Sequence, residues 1–168
     1  MKRRSFITSA LVGMSTLAGK WSGSTLTSGD IPRRTFGKTG EKLTIIGQAG
    51  GRFALISFEE AKTITLHAYE LGINYFDTAH NYWNGRSEEV YGAILPAFRS
   101  EVFITTKSDK RTRLDAEKEL NLSLRRLKTD YVDLWQIHSI TTMQEVDQIF
   151  GPCNAPALPN APVDQSDR

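Results

Sequence analysis

Three residues of this chain carry reactive side chains at regular intervals: Asp77, Lys107 and His138, separated by 30 and 31 positions. Each follows the last apolar residue of a short β-rich run, and Tyr82 stands five residues beyond the first of them. A carboxylate, an ammonium, an imidazole and a phenol are groups that hold and move protons. Singly, each has an ordinary explanation: a helix cap, an exposed lysine, a structural histidine, a packing aromatic. Their joint placement is the signal, because the carboxyl ends of parallel strands lie on one face of the sheet, where sites form. The spacing therefore predicts that the reactive side chains converge.

The elements that must position them alternate between residues 32 and 150. Arg34-Thr35-Phe36 and Leu43-Thr44-Ile45-Ile46, separated by Gly37-Lys38-Thr39-Gly40, either pair as a hairpin or lead directly into a first strand. Ser57-Phe58-Glu59-Glu60 reads as a capping box, with Ala61, Ile64, Ala68 and Leu71 at helical spacing and Gly72 as the stop. Further strands are expected at Ile73 to Phe76, Val102 to Thr106 and Tyr131 to Ile137. Their helices run from Glu88 to Leu95, through Leu120, Leu124 and Leu127, and from Met143 to Phe150. Such alternation predicts an α/β fold of parallel βαβ units, four of which are legible.

Asp77-Thr78-Ala79-His80-Asn81-Tyr82 resembles the Asp-x-Ala-x-x-Tyr signature of the aldo-keto reductases, and Thr105-Thr106-Lys107 and Gln136-Ile137-His138 resemble that family's next two strand ends. The stretches from Gly85 to Gly92 and from Leu122 to Leu134 support the same resemblance, which covers roughly residues 32–151. It implies a partial (βα)8 TIM barrel and NAD(P)H-dependent reduction of an aldehyde or ketone. It also implies four roles: Tyr82 as proton donor, Lys107 and Asp77 as its tuners, His138 as the group that orients the substrate carbonyl. These roles suit the reaction. A carbonyl accepting hydride develops negative charge on oxygen and needs a proton and nearby donors. An ammonium beside a phenol favours the phenolate left behind.

The hydride has to come from a cofactor, NADPH by resemblance. No Gly-x-Gly-x-x-Gly fingerprint is present; Gly47-Gln48-Ala49-Gly50-Gly51 is glycine-rich without matching it. The resemblance makes Ala49, Gly50 and Asp77 candidates for cofactor contact. His80 is expected to line the loop beside the site, and Trp83 and Asn84 either contact substrate or form an exposed turn.

Composition agrees with a soluble globular domain: 168 residues, 39% hydrophobic and 24% charged. The net charge of +2 is unevenly placed. Residues 1–28 hold four basic side chains and no acids, leaving 17 basic against 19 acidic residues elsewhere, which argues against a nucleic-acid partner. The single cysteine, Cys153, can form no internal disulfide and lacks the neighbours a metal site needs. Lys2-Arg3-Arg4-Ser5-Phe6 ahead of a short apolar run resembles a twin-arginine signal, too short to span a membrane. It predicts export to the periplasm through the twin-arginine machinery, with residues 1–28 as signal and linker and residues 29–151 as the reductase domain.

Four of the six prolines fall between positions 152 and 162, so residues 152–168 read as a non-family tail. A complete barrel has eight units and roughly 250 residues. The expectation is a half-barrel whose true continuation has been replaced beyond Pro152 by a frameshift or gene-model error, testable in the adjacent genomic frames. An open half-barrel predicts self-association through its strand edge. Alongside the reductase stands an alternative: a non-catalytic fragment or interaction module that keeps the four residues without the cofactor-binding half.

Overall fold

The computed structural model describes residues 31–151. The predicted signal segment, the proline-rich tail and Cys153 lie outside the described residues. Of the two arrangements left open near the start, the hairpin forms: β1 (Arg33–Thr35) pairs antiparallel with β2 (Lys42–Thr44). Gly37 and Gly40 turn the chain between them with positive φ, a conformation glycine adopts without steric penalty.

The first parallel strand is β3 (Gln48–Ala49), inside the glycine-rich stretch, and not Leu43 to Ile46. The apolar run misled because Leu43 and Thr44 are buried in the hairpin while Ile45 and Ile46 are exposed in the connection to β3. β4 (Tyr75–Asp77), β5 (Phe103–Ser108) and β6 (Leu134–Ile137) complete a four-stranded parallel sheet in the order β3-β4-β5-β6. β6 starts later than the Tyr131 expected from sequence. Asp133 exchanges bonds with Ile104, its N–H donating to the carbonyl at 3.0 Å and its carboxylate accepting the Ile104 N–H at 2.8 Å. A side chain thus replaces the first rung of the ladder.

Helices α1 (Phe58–Glu70), α2 (Arg86–Ile94), α3 (Arg113–Leu127) and α4 (Met143–Phe150) follow β3, β4, β5 and β6 in turn. This is the βα rhythm of a partial α/β barrel. The capping box expected at Ser57 forms, with Glu60 N–H donating to the Ser57 hydroxyl at 3.2 Å and Ser57 N–H donating to the Glu60 carboxylate at 2.8 Å. Gly72 ends α1 with φ of 93°. A second capping box, Thr142 with Glu145, starts α4.

The core lies between the sheet and its helices, where Phe76 and Ile104 meet Ala61, Val90, Tyr91, Leu95 and Leu127. Gly92 lets α2 approach the backbone of α3, for a Cβ there would collide with the Arg126 carbonyl. The hairpin covers the amino ends of the strands. Thr44 N–H donates to the Asn74 side chain at 2.8 Å, and Phe36 packs edge-on against Phe103 with ring centroids 5.8 Å apart. The opposite, carboxyl end is left for the predicted site.

Candidate active site

Asp77 closes β4, Lys107 stands near the end of β5, and His138 follows β6, so the strand-end placement read from sequence is the one observed. Register does the positioning: Asp77 pairs with Thr105, and Lys107 lies two residues further along the same strand, on the same face. The Lys107 ammonium donates to Asp77 Oδ1 at 2.6 Å and to the Thr78 carbonyl oxygen at 2.7 Å. Both side chains of this ion pair are largely buried, at 14% exposure for lysine and 24% for aspartate.

The loop after β4 is fastened to β5 rather than left free. Thr78 N–H donates to the Thr105 carbonyl oxygen at 2.8 Å, and His80 N–H donates to that of Lys107 at 2.9 Å. Tyr82 follows, its N–H held by the Ala79 carbonyl at 3.1 Å. Trp83, Asn84 and Gly85 then take positive φ values of 51°, 54° and 89° in succession. That conformation is unfavourable for Trp and Asn and persists only where surrounding contacts enforce it. Here the Arg86 guanidinium and Phe58 pack on the Trp83 ring, and the Arg126 guanidinium occupies the space a side chain at Gly85 would need.

The result is a cluster around the Tyr82 ring. Lys107 Nζ lies 5.1 Å from its centroid, and the His138 ring meets it edge-on at 5.5 Å and 80°. The structure therefore brings together all four acid–base residues predicted from sequence. The weaker candidates separate. Ala49 is exposed at the end of β3, in register with Asp77, while Gly50 is buried with Phe53 and Ser87 against it. His80 lies in the loop beside the site, with its side chain turned toward α3, Nδ1 3.2 Å from the Ser123 hydroxyl. Trp83 is committed to Phe58 and Arg86; Asn84 is exposed.

Several supporting residues were not singled out from sequence. Tyr91 donates its buried hydroxyl to the Gln48 and Asp77 carbonyl oxygens, and burial, reinforced by the Asp77 charge, pushes its phenol well above the ordinary tyrosine range. Ser87 links the Thr78 hydroxyl at 2.9 Å to the Gly50 carbonyl at 3.1 Å. Asp109 meets His138 Nδ1 at 2.9 Å. Arg111 donates to the carbonyl oxygens of Asp109 and His138 at 2.9 Å each and pairs with Glu145 at 2.8 Å. The Thr-x-x-Glu spacing of a capping box could have drawn attention to Glu145. Nothing in the local pattern marks Asp109 and Arg111 as more than polar loop residues.

A surface recess of about 670 Å³ is lined by Pro96, Arg99, Leu124 and Arg125 near the loops that enter β5 and β6, and holds none of the four residues. The chemistry, not cavity size, marks the carboxyl face. Among the described residues no group of His, Cys, Asp and Glu is placed to hold a metal ion, and no helix is long and apolar enough to cross a membrane.

A parallel βα sheet with a carboxylate, an ammonium, a phenol and an imidazole gathered at its carboxyl strand ends is the architecture of a partial α/β barrel. The model of the Aldo/keto reductase family matches residues 46–155, more than half of the chain, and the chain belongs to that family. Among curated relatives, the "Uncharacterized oxidoreductase YqkF" of Bacillus subtilis is 36% identical over 101 residues, covering 53% of this chain and 33% of the relative. The L-galactose dehydrogenase of Arabidopsis thaliana is 33% identical over 132 residues, covering 71% and 41%. Among solved structures, the holo form of the aldo-keto reductase AKR11C1 from Bacillus halodurans superposes with a TM-score of 0.65 at 28% identity, covering 70% of this chain and 43% of that one. The chain thus spans less than half the length of each of these relatives.

Proposed function

We propose that this chain carries the proton-transfer side of a nicotinamide-dependent carbonyl reductase, NADPH being the preferred cofactor. One observation supports the reading above the rest: an ammonium fixed by Asp77 at 2.6 Å lies beside the Tyr82 ring, with the His138 imidazole at that ring's edge.

Ala49, exposed, short and in register with Asp77, leaves the mouth of the sheet open beside the cluster, where a nicotinamide would lie. When bound, a reduced nicotinamide supplies the hydride that goes to the carbonyl carbon. As negative charge builds on the carbonyl oxygen, the Tyr82 hydroxyl gives it a proton. The Lys107 ammonium stabilises the phenolate that remains, and Asp77 and the Thr78 carbonyl keep the ammonium in place. His138 orients the carbonyl oxygen toward Tyr82.

Titrating the purified chain with NADPH and following protein fluorescence tests the reading. Quenching that saturates, with turnover of a generic aldehyde that Tyr82→Phe lowers about 10²–10⁴-fold, is the expected result. Absence of quenching at high micromolar cofactor overturns the enzymatic reading for this chain and favours a non-catalytic module instead.

A further inference from the structure

We propose that Asp109 is a positioning residue for His138, accepting the hydrogen of Nδ1 and so deciding which nitrogen, in which protonation form, meets the substrate. The catalytic part of this inference rests on the reductase reading above; the geometry of the pair does not.

Asp109 Oδ1 lies 2.9 Å from His138 Nδ1. An ionised carboxylate only accepts hydrogen bonds, so Nδ1 is the donor. The pair is preformed on both sides. Asp109 N–H donates to the Glu119 carboxylate at 3.0 Å, and the Asp109 carbonyl oxygen accepts from Arg111 at 2.9 Å. His138 N–H donates to the Ser108 carbonyl oxygen at 2.8 Å, and its own carbonyl oxygen accepts from the same Arg111. Two strand-end loops are therefore clamped by one guanidinium, with the Asp109–His138 bond between them. Nε2 makes no hydrogen bond among the described residues and is the nitrogen left for a ligand.

Proton counting gives the consequence. A neutral imidazole has one N–H. With that hydrogen held on Nδ1 by Asp109, Nε2 presents a lone pair and accepts, as from a substrate hydroxyl. Donation from Nε2 to a carbonyl oxygen requires the imidazolium, whose two N–H groups then serve Asp109 and substrate together. The carbonyl-orienting species is thus the Asp109–His138 ion pair, and the neutral ring instead favours a hydroxyl-bearing ligand. Asp109 from the β5–α3 loop and Tyr82 from the β4–α2 loop meet the ring itself. Arg111, paired with Glu145 of α4, donates to the His138 backbone carbonyl, and Lys107 of β5 lies against the Tyr82 ring.

The test reads the ring nitrogens directly in the full chain labelled with 15N-histidine, without cofactor or substrate. His138 is assigned among the three histidines with a His138→Gln variant. At a pH where the ring is neutral, the expected spectrum has a protonated, pyrrole-type Nδ1 and an unprotonated Nε2. Asp109→Ala should lose that form and move the hydrogen to Nε2, the nitrogen favoured by unconstrained imidazole. A protonated Nε2 in the unmodified neutral chain overturns the proposal, and this measurement decides even where the variant fails to fold. An unchanged nitrogen pattern in a folded Asp109→Ala chain overturns it equally. Failure of NADPH to bind would remove the reductase reading while leaving this result standing, so the two failures are distinguishable.

Discussion

The Tyr91 hydroxyl, carried by α2, donates to the carbonyl oxygens of Gln48 at 3.0 Å and Asp77 at 3.3 Å, joining the ends of β3 and β4 directly beneath the acid–base cluster. Removing it leaves two carbonyls near a fully buried ring without that donor. Tyr91→Phe should lower stability by about 1–3 kcal/mol, read as a shift in urea midpoint. Because its phenol is raised well above the ordinary value of 10.0, the stability it contributes is complete below that value and is lost as pH rises from there through the folded-state value. The variant should accordingly show a flatter alkaline limb.

For the proposed reaction, Tyr82→Phe should reduce kcat about 10²–10⁴-fold, the usual contribution of a positioned proton donor. The ring stays in place against Lys107 and His138, so NADPH affinity should be unchanged. Steady-state turnover of an aldehyde beside a cofactor titration checks both statements.

The Glu88 carboxylate is fully buried, accepting from the Thr106 hydroxyl at 2.7 Å and from Arg126 at 3.2 Å. Arg126→Ala strands that charge in the interior and should destabilise the chain by about 3–5 kcal/mol. Replacing both partners, Glu88→Gln with Arg126→Ala, should restore part of the loss. Thermal melts of the single and the double variant against the parent measure it.

Gly92→Ala places a methyl group against the Arg126 carbonyl where α2 and α3 meet. Overpacking of that kind costs about 1–3 kcal/mol. An unchanged melting temperature would mean that the two helices separate readily, contrary to the close crossing described above.

Glu145 accepts from Thr141 N–H at 2.8 Å, Thr142 N–H at 3.0 Å and Arg111 Nε at 2.9 Å, and these bonds hold its carboxyl at about 2, below the ordinary 4.5. Its stabilising contribution is therefore present above 4.5 and lost as pH falls from there through about 2. Glu145→Gln should flatten the acid side of the stability curve across that window. Urea midpoints measured from neutral pH downward check it.

The site was legible in the sequence to the extent that its residues stand at strand ends. Asp77, Lys107 and His138 each follow an apolar run, and a period of two or 3.6 fixes which end of which element they occupy. β3 was missed for the converse reason. Gln48 and Ala49 have no strand propensity of their own, and only pairing with Phe76 and Asp77 makes them a strand. The left-handed run from Trp83 to Gly85 is held by Phe58 and Arg126, both far off in sequence, together with the nearby Arg86. Asp109, Arg111 and Glu145 meet across about 30 residues of chain, and no local pattern reports such a meeting.

The capping box of α4 has a further meaning for how the molecule assembles. One carboxylate both starts that helix and grips the arginine that clamps the backbone of His138. Ordering of α4 is thereby coupled to the backbone at His138. Without Glu145 the His138 ring keeps its bond to Asp109, but the arginine that holds the His138 carbonyl loses its carboxylate partner. Amide exchange around His138 should then rise and fall together with that of α4, independently of the hairpin at the opposite end of the sheet.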